Sequence, residues 1–445
     1  MTTPICDFVR VYAEKNPLRL HMPGHKGVSL LGVESLDLTE VEGADVLYDA
    51  HGVIRESEEN AARLFGAAKT IYSTEGSSLS IRAMLYLTLL FAKEQGRARC
   101  RIAAGRNAHR TLMSAAALLD LEIDWLYGED LLRCELTADA VENYFAFCDE
   151  LPVALYLTSP DYLGNLVDIA AIAEICHARG VLLLVDNAHG AYLKFLSKDI
   201  HPMTLGADAC CDSAHKTLPA LTGCAYLHLS ERAPKLFLEQ AEEAMSLFAS
   251  TSPSYLLLQS LDALNELLAQ ELPERLDATV RAVAEARDRL LAHGFAVVGA
   301  EPTKLTLAPK SYGYTGEELS VVLAERGIVC EFCDRDFLVA MLSVENTSEE
   351  IFRLTSTLLS IPRRASIEET VPAPSRGEAA MSIREAAFSP RERLPIEDCL
   401  GRVMASMSVS CPPAVPVAVC GERIDGQTVA CLQYYGVTEC EVVKE

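Results

Sequence analysis

Five aliphatic residues, Val181-Leu182-Leu183-Leu184-Val185, end abruptly in Asp186-Asn187-Ala188-His189-Gly190. A run apolar at every position, not at alternate ones, reads as a strand buried on both faces of a parallel sheet. In open α/β sheets ligands sit at the carboxyl ends of such strands. Thirty positions beyond Asp186, after the short run Asp208-Ala209-Cys210-Cys211-Asp212, comes Ser213-Ala214-His215-Lys216-Thr217-Leu218. A lysine among small and hydroxyl residues, between two strand-like runs, is poorly placed for a solvated surface. A carboxylate at one strand end and a lysine after the next suit pyridoxal phosphate. The amine forms a Schiff base, and the carboxylate keeps the pyridine nitrogen protonated so that the ring accepts electrons. A purely structural role fits the same two residues, and the spacing alone does not choose.

The surrounding pattern predicts an α/β fold. A short helix is expected near residues 8–13, and a helix over 56–65 precedes a strand at 70–74. Glu75-Gly76-Ser77-Ser78 then opens an apolar helix over 79–92. A glycine and two hydroxyls at a helix start offer backbone N–H groups and the helix dipole to an anion. They also serve as an ordinary helix cap. A strand at 101–104, Arg106-Asn107-Ala108-His109, a helix over 111–119, a strand at 151–158 and a helix over 169–179 continue the alternation, which argues for a mostly parallel sheet. Neither G-x-G-x-x-G nor G-x-x-x-x-G-K-[ST] appears, so the sequence offers no dinucleotide fingerprint and no P-loop. Long helices are expected over 256–270 and 275–293. Short strands and helices follow to about 365, with strands at 295–299, 304–308, 328–332 and 337–343 and helices over 316–326 and 348–361. Pro372-Ala373-Pro374-Ser375-Arg376-Gly377 reads as a linker.

Five stretches occur in a fixed order: Leu20-His21-Met22-Pro23-Gly24-His25-Lys26-Gly27, Glu75-Gly76-Ser77-Ser78, Arg106-Asn107-Ala108-His109, Val185 to Gly190, and Ser213 to Leu218. Together they resemble the bacterial ornithine/lysine/arginine decarboxylase family, which are fold type I pyridoxal phosphate enzymes. Glu385-Ala386-Ala387-Phe388, Leu400-Gly401-Arg402-Val403, Cys411 to Pro416 and Gly421-Glu422-Arg423-Ile424 extend the likeness to the C-terminal region.

The resemblance implies an N-terminal arm at 1–50, a large cofactor domain at 51–265, a small α+β domain at 266–365 and a C-terminal domain at 366–445. It implies that Lys216, Asp186 and His109 carry the chemistry, His109 stacking on the cofactor ring. Gly76, Ser77, Ser78, His189, Ser213, His215 and Ser252 join them around the cofactor. Thr251-Ser252-Pro253 resembles a segment that reaches a partner subunit's phosphate site, so a homodimer with shared active sites is expected. Glu422, with Asp45 as a weaker choice, is the expected anchor for a cationic substrate, arginine before lysine or ornithine. Two departures stand out. The family's Asp-Glu-Ala-His is here Asp186-Asn187-Ala188-His189, and its Gly-Ala-His is Gly190-Ala191-Tyr192. The chain begins close to the catalytic core, without a receiver-like domain, which favours a dimer over a decamer.

A decarboxylase must hold the substrate α-carboxylate out of the ring plane, whereas an aminotransferase usually clamps it in plane with an arginine. Arg335 is one such candidate clamp. An aminotransferase or lyase, or a non-catalytic regulator, therefore stays as the alternative. The net charge of −24 argues against nucleic acid or an anionic membrane as partner. The 15 cysteines are odd in number and scattered, and no signal-peptide pattern opens the chain. Both facts fit a reduced cytoplasm. Cys330-Glu331-Phe332-Cys333 is a lone pair with no neighbouring histidine, and no metal is expected.

Overall fold

The structure is a computed structural model describing residues 1–128, 135–411 and 415–445. Positions 412–414 of the Cys411 to Pro416 stretch lie outside the described residues. By internal packing the chain falls into two compact units, residues 1–96 with 182–277, and residues 97–181 with 278–445. The strands that matter are β1 (Lys69–Ser73), β2 (Arg101–Gly105), β3 (Glu122–Leu126), β4 (Ala154–Thr158), β5 (Leu182–Asp186), β6 (Ala209–Asp212) and β7 (Ala225–Leu229).

In the first unit the strand order is β1-β7-β6-β5. β5 runs parallel to β6, while β7 is antiparallel to both β6 and β1. Every residue of β5, β6 and β7 is buried, which is why these strands are mostly apolar, with Asp186, Asp212 and His228 as buried polar residues. The helix Ser77–Glu94 buries Leu79, Ile81, Met84, Leu85 and Leu87. Its first residue follows Gly76 at φ 73°, a left-handed backbone that favours glycine. The arm behaves differently. The helix Pro4–Glu14 buries Ile5 and Val9, but beyond it Leu18, Leu20, Met22, Val28, Leu30 and Leu31 are exposed.

In the second unit β2 lies between β3 and β4, parallel to both. Four further strands, β8 (Val297–Val298), β9 (Lys304–Leu307), β10 (Phe332–Cys333) and β11 (Leu338–Met341), form an antiparallel sheet in the order β10-β11-β9-β8. Helices Gly316–Ala324 and Ser348–Leu359 each open with a Thr…Glu capping box and pack with this sheet around one apolar core, which includes Leu290, Leu307, Leu319, Leu338 and Leu358. A second core, around Ile396, Met404, Val417, Ile424, Leu432 and Val442, belongs to the C-terminal segment.

Candidate active site

Asp186 ends β5 beside Cys211 of β6 and is buried. Its Oδ1 accepts from the backbone N–H of Ala188 at 3.2 Å and from the Cys211 thiol at 3.5 Å. Burial pushes the Cys211 thiol well up from its ordinary value, so the S–H persists as a donor. His189, three residues on, is also buried, and its Nε2 lies 2.9 Å from Lys216 Nζ. Lys216 sits in the single turn Ala214–Thr217 that follows β6. The carboxylate, imidazole and amine expected from the sequence thus come together at the ends of two adjacent parallel strands.

The start of the helix Ser77–Glu94 belongs to the same unit. Ser213 Oγ donates to Ser77 Oγ at 2.8 Å, joining the lysine loop to the first turn of the helix Ser77–Glu94. A Cβ placed on Gly76 would meet nothing within 4 Å, so the helix start opens on free space. His215 Nδ1 lies at hydrogen-bond distance, 3.0 Å, from the Cys224 carbonyl. Ser252 is exposed, and its backbone N–H donates to Ser250 Oγ; the Ser250 N–H in turn donates to Glu75 Oε1 at 2.6 Å. In the second unit, His109 caps the helix Arg110–Leu119, its Nδ1 accepting from the Thr111 backbone, and its ring is exposed.

Pyridoxal phosphate fits the residues of the first unit. Lys216 offers the amine for its aldehyde and Asp186 a buried carboxylate for its ring nitrogen. The open helix start, with Ser77, Ser78 and Ser213, offers donors for its phosphate.

Both carboxylates expected to anchor the substrate already hold partners within the chain. Glu422 is buried, and its two oxygens each take an Arg106 guanidinium nitrogen at 2.7 Å. The Val419 N–H donates to it as well, at 3.0 Å. A Cβ on Gly377 would come within 2.4 Å of the Glu422 carboxyl carbon, so this pair is closed in on that side too. Asp45 accepts from the backbone N–H groups of Val46, His51, Gly52 and Ile54. Partial burial works against its charge, but these N–H groups prevail and hold it below the usual carboxylate range. It caps the helix Val53–Phe65. Arg335, the candidate clamp, is paired with Glu369 at 2.7 Å and lies over the Tyr434 ring.

Sequence reasoning missed a buried cluster behind the lysine loop. Asp212, the last residue of β6, accepts from Asn187 Nδ2 at 2.6 Å and from His201 Nε2 at 2.9 Å. His228 Nε2 is 3.3 Å from the same oxygen as His201, at ion-pair distance but without hydrogen-bond alignment. Burial opposes the Asp212 charge, yet the two imidazoles hold it well below the usual range. His201, Cys210 and Asp212 are near enough to surround a cation. However, His201 Nδ1 accepts the Met203 N–H, so the ring proton sits on Nε2 and points at Asp212. Burial also pushes the Cys210 thiol well up. The cluster is organised around an anion.

The fold matches that of the Francisella novicida lysine decarboxylase, with a TM-score of 0.80 at 16% identity, over 99% of this chain and 81% of that one. The strand order and this likeness define the class by fold, that of the fold type I enzymes. The profile of the Orn/Lys/Arg decarboxylase major domain matches residues 3–309, and that of the C-terminal domain matches residues 369–442. An arginine decarboxylase of Halalkalibacterium halodurans is 32% identical across 96% of this chain and 92% of its own length. One of Bacillus subtilis is 28% identical with the same coverage. The chain belongs to the Orn/Lys/Arg decarboxylase family and is a decarboxylase of a basic amino acid. Among the described residues no helix is long and apolar enough to cross a membrane.

Proposed function

We propose that the chain decarboxylates arginine to agmatine, with Lys216, Asp186 and His109 as catalytic residues, in a cytoplasmic homodimer. The observation that carries arginine is the breadth of the likeness. Relatives named for arginine match at least 93% of this chain, whereas a constitutive lysine decarboxylase of Escherichia coli matches 54% at 25% identity. The strongly acidic composition suits a cationic substrate.

Pyridoxal phosphate, held by these residues, would supply the electron sink that decarboxylation needs. The chain's own residues do the rest. Asp186 would hold a proton at the ring nitrogen by its negative charge. Cys211 and the Ala188 N–H keep that carboxylate pointed. His189 fixes the direction of the Lys216 amine through their 2.9 Å contact. Ser77, at the start of the long helix, and Ser213, hydrogen-bonded to it, would hold the phosphate. The resemblance gives His109 the role of covering one ring face.

A homodimer is supported by the arm. Leu18, Leu20, Leu30 and Leu31 are each at least 84% exposed in the single chain, which is more apolar surface in one segment than a soluble monomer normally leaves wet. The division at 50, 265 and 365 is kept for the same reading; the separate apolar cores of residues 283–361 and 396–442 support its last boundary.

A side-by-side assay of arginine, lysine and ornithine, with product identification, tests the substrate. Arginine should give the highest kcat/KM and agmatine as product. A higher value for lysine or ornithine would overturn the choice of arginine.

A further inference from the structure

Asn187 stands where the resembling family has glutamate, between Asp186 and His189. Its neighbours explain the amide. The Asn187 backbone N–H donates to the Cys211 carbonyl at 3.0 Å, and its side chain donates to Asp212 Oδ1 at 2.6 Å. Asp212 is followed directly by Ser213 and the Lys216 turn. Asn187, His201, Asp212 and His228 each have 0% exposure. His201 Nε2 donates to the other Asp212 oxygen, and its tautomer is set by the Met203 N–H. Thr70 Oγ1 holds His228 Nδ1 at 2.8 Å, and Phe65 packs against both imidazoles. A carboxylate at position 187 would face Asp212 across a hydrogen-bond distance with no water between. Two such groups cannot both ionise.

We propose that Asn187 and Asp212 are positioning residues. They form a latch of one amide and one carboxylate that sets the β5 end, with Asp186 and His189, against the β6 end, with the Lys216 loop. The departure from the family tetrapeptide is then the complement of Asp212 and not a lost function. The latch acts on the site through the reading of Lys216 and Asp186 as cofactor partners. Its polarity, however, is a property of the protein alone. Asn187 Oδ1 is buried and has no hydrogen-bond partner among the described residues, so the side chain is present for its donor.

The test is a double-mutant cycle of Asn187→Asp, Asp212→Asn and the double exchange, read three ways. The first is the melting temperature of the cofactor-free protein, the second the visible absorption of the loaded protein, and the third the split between kcat and KM for arginine. Asn187→Asp alone should lower the melting temperature, weaken the visible band and reduce kcat with KM little changed. The double exchange, which restores one amide against one carboxylate, should regain most of all three. A double variant no better than Asn187→Asp alone would overturn the proposal, as would an Asn187→Asp variant that melts and absorbs like the wild type. Recovery of melting without recovery of the band and kcat would reduce the pair to a structural contact and overturn the positioning role. Absence of a visible band in the wild type would strike the cofactor reading instead, and the melting cycle would still decide the latch.

Discussion

Arg106 and Glu422, 316 positions apart in the chain, meet in a two-pronged pair, Nη1 to Oε1 and Nη2 to Oε2, each 2.7 Å long. Arg106 lies three residues before His109, and its guanidinium is 5.2 Å from the centroid of Trp125, the one tryptophan of the sequence. The pair therefore ties the C-terminal segment to the loop that presents His109. Breaking one side of a buried pair leaves an uncompensated charge, at a cost of roughly 3–5 kcal/mol.

Glu422→Gln should accordingly lower the melting temperature and change Trp125 emission, with the loss at the lower end of that range because the amide keeps one acceptor. Its effect on KM should be similar for arginine, lysine and ornithine. A KM rise confined to one cationic substrate, without loss of stability, would return Glu422 to substrate binding.

Glu58 gives a pH prediction. Burial pushes its carboxyl up to about 8, although one oxygen accepts the Tyr72 N–H at 2.9 Å. A raised acid binds its proton more tightly in the folded chain than in the unfolded one. Its contribution is therefore full below the unfolded value near 4.5 and is lost as pH rises towards 8. Glu58→Gln keeps an acceptor for Tyr72 and removes the titration. The variant should melt higher than the wild type at pH 8 and close to it at pH 5. Parallel melting curves for the two proteins across that range would contradict the assignment.

Asp186→Asn should retain pyridoxal phosphate and lose most turnover. A neutral pyridine is a poor electron sink, and stabilisation of developing charge is usually a large catalytic contribution. Absorbance of the purified variant and its kcat check this together; near wild-type kcat would remove Asp186 from the ring nitrogen.

Leu30→Asp with Leu31→Asp should shift the protein towards monomer in light scattering and reduce activity at low protein concentration. Both side chains are more than four-fifths exposed in the single chain, so the substitutions disturb no core. An unchanged dimer, or an active wild-type monomer, would contradict the shared-site reading.

Much of the fold was legible because it is local. Runs such as Val181 to Val185 are apolar at every position, and caps such as Thr315…Glu318 lie within one turn. β3 escaped notice since Glu122–Leu126 lies at the end of the three-strand order β4-β2-β3 and is only half buried, mixing acids with apolar residues. The antiparallel course of β7 carries no mark in its own composition. In the candidate site, the placement of Lys216 and Asp186 at neighbouring strand ends was readable. The burial of Glu422 against Arg106 was not, because a Gly-Glu turn looks solvated and its partner is far away in sequence. Asp45 had a nearer signal: every N–H group from which it accepts lies within ten residues of it, in the loop and first turn leading into one helix. The Asn187–Asp212 contact joins two separate strand ends, and only the departure at Asn187 hinted at it.

The central claim is that Lys216 carries the cofactor. Borohydride treatment of the purified, loaded protein should abolish its visible band, and peptide mass spectrometry should then place one pyridoxyl group on Lys216. A reduced pyridoxyl group on any other lysine, or none at all on a loaded and active enzyme, would contradict the account.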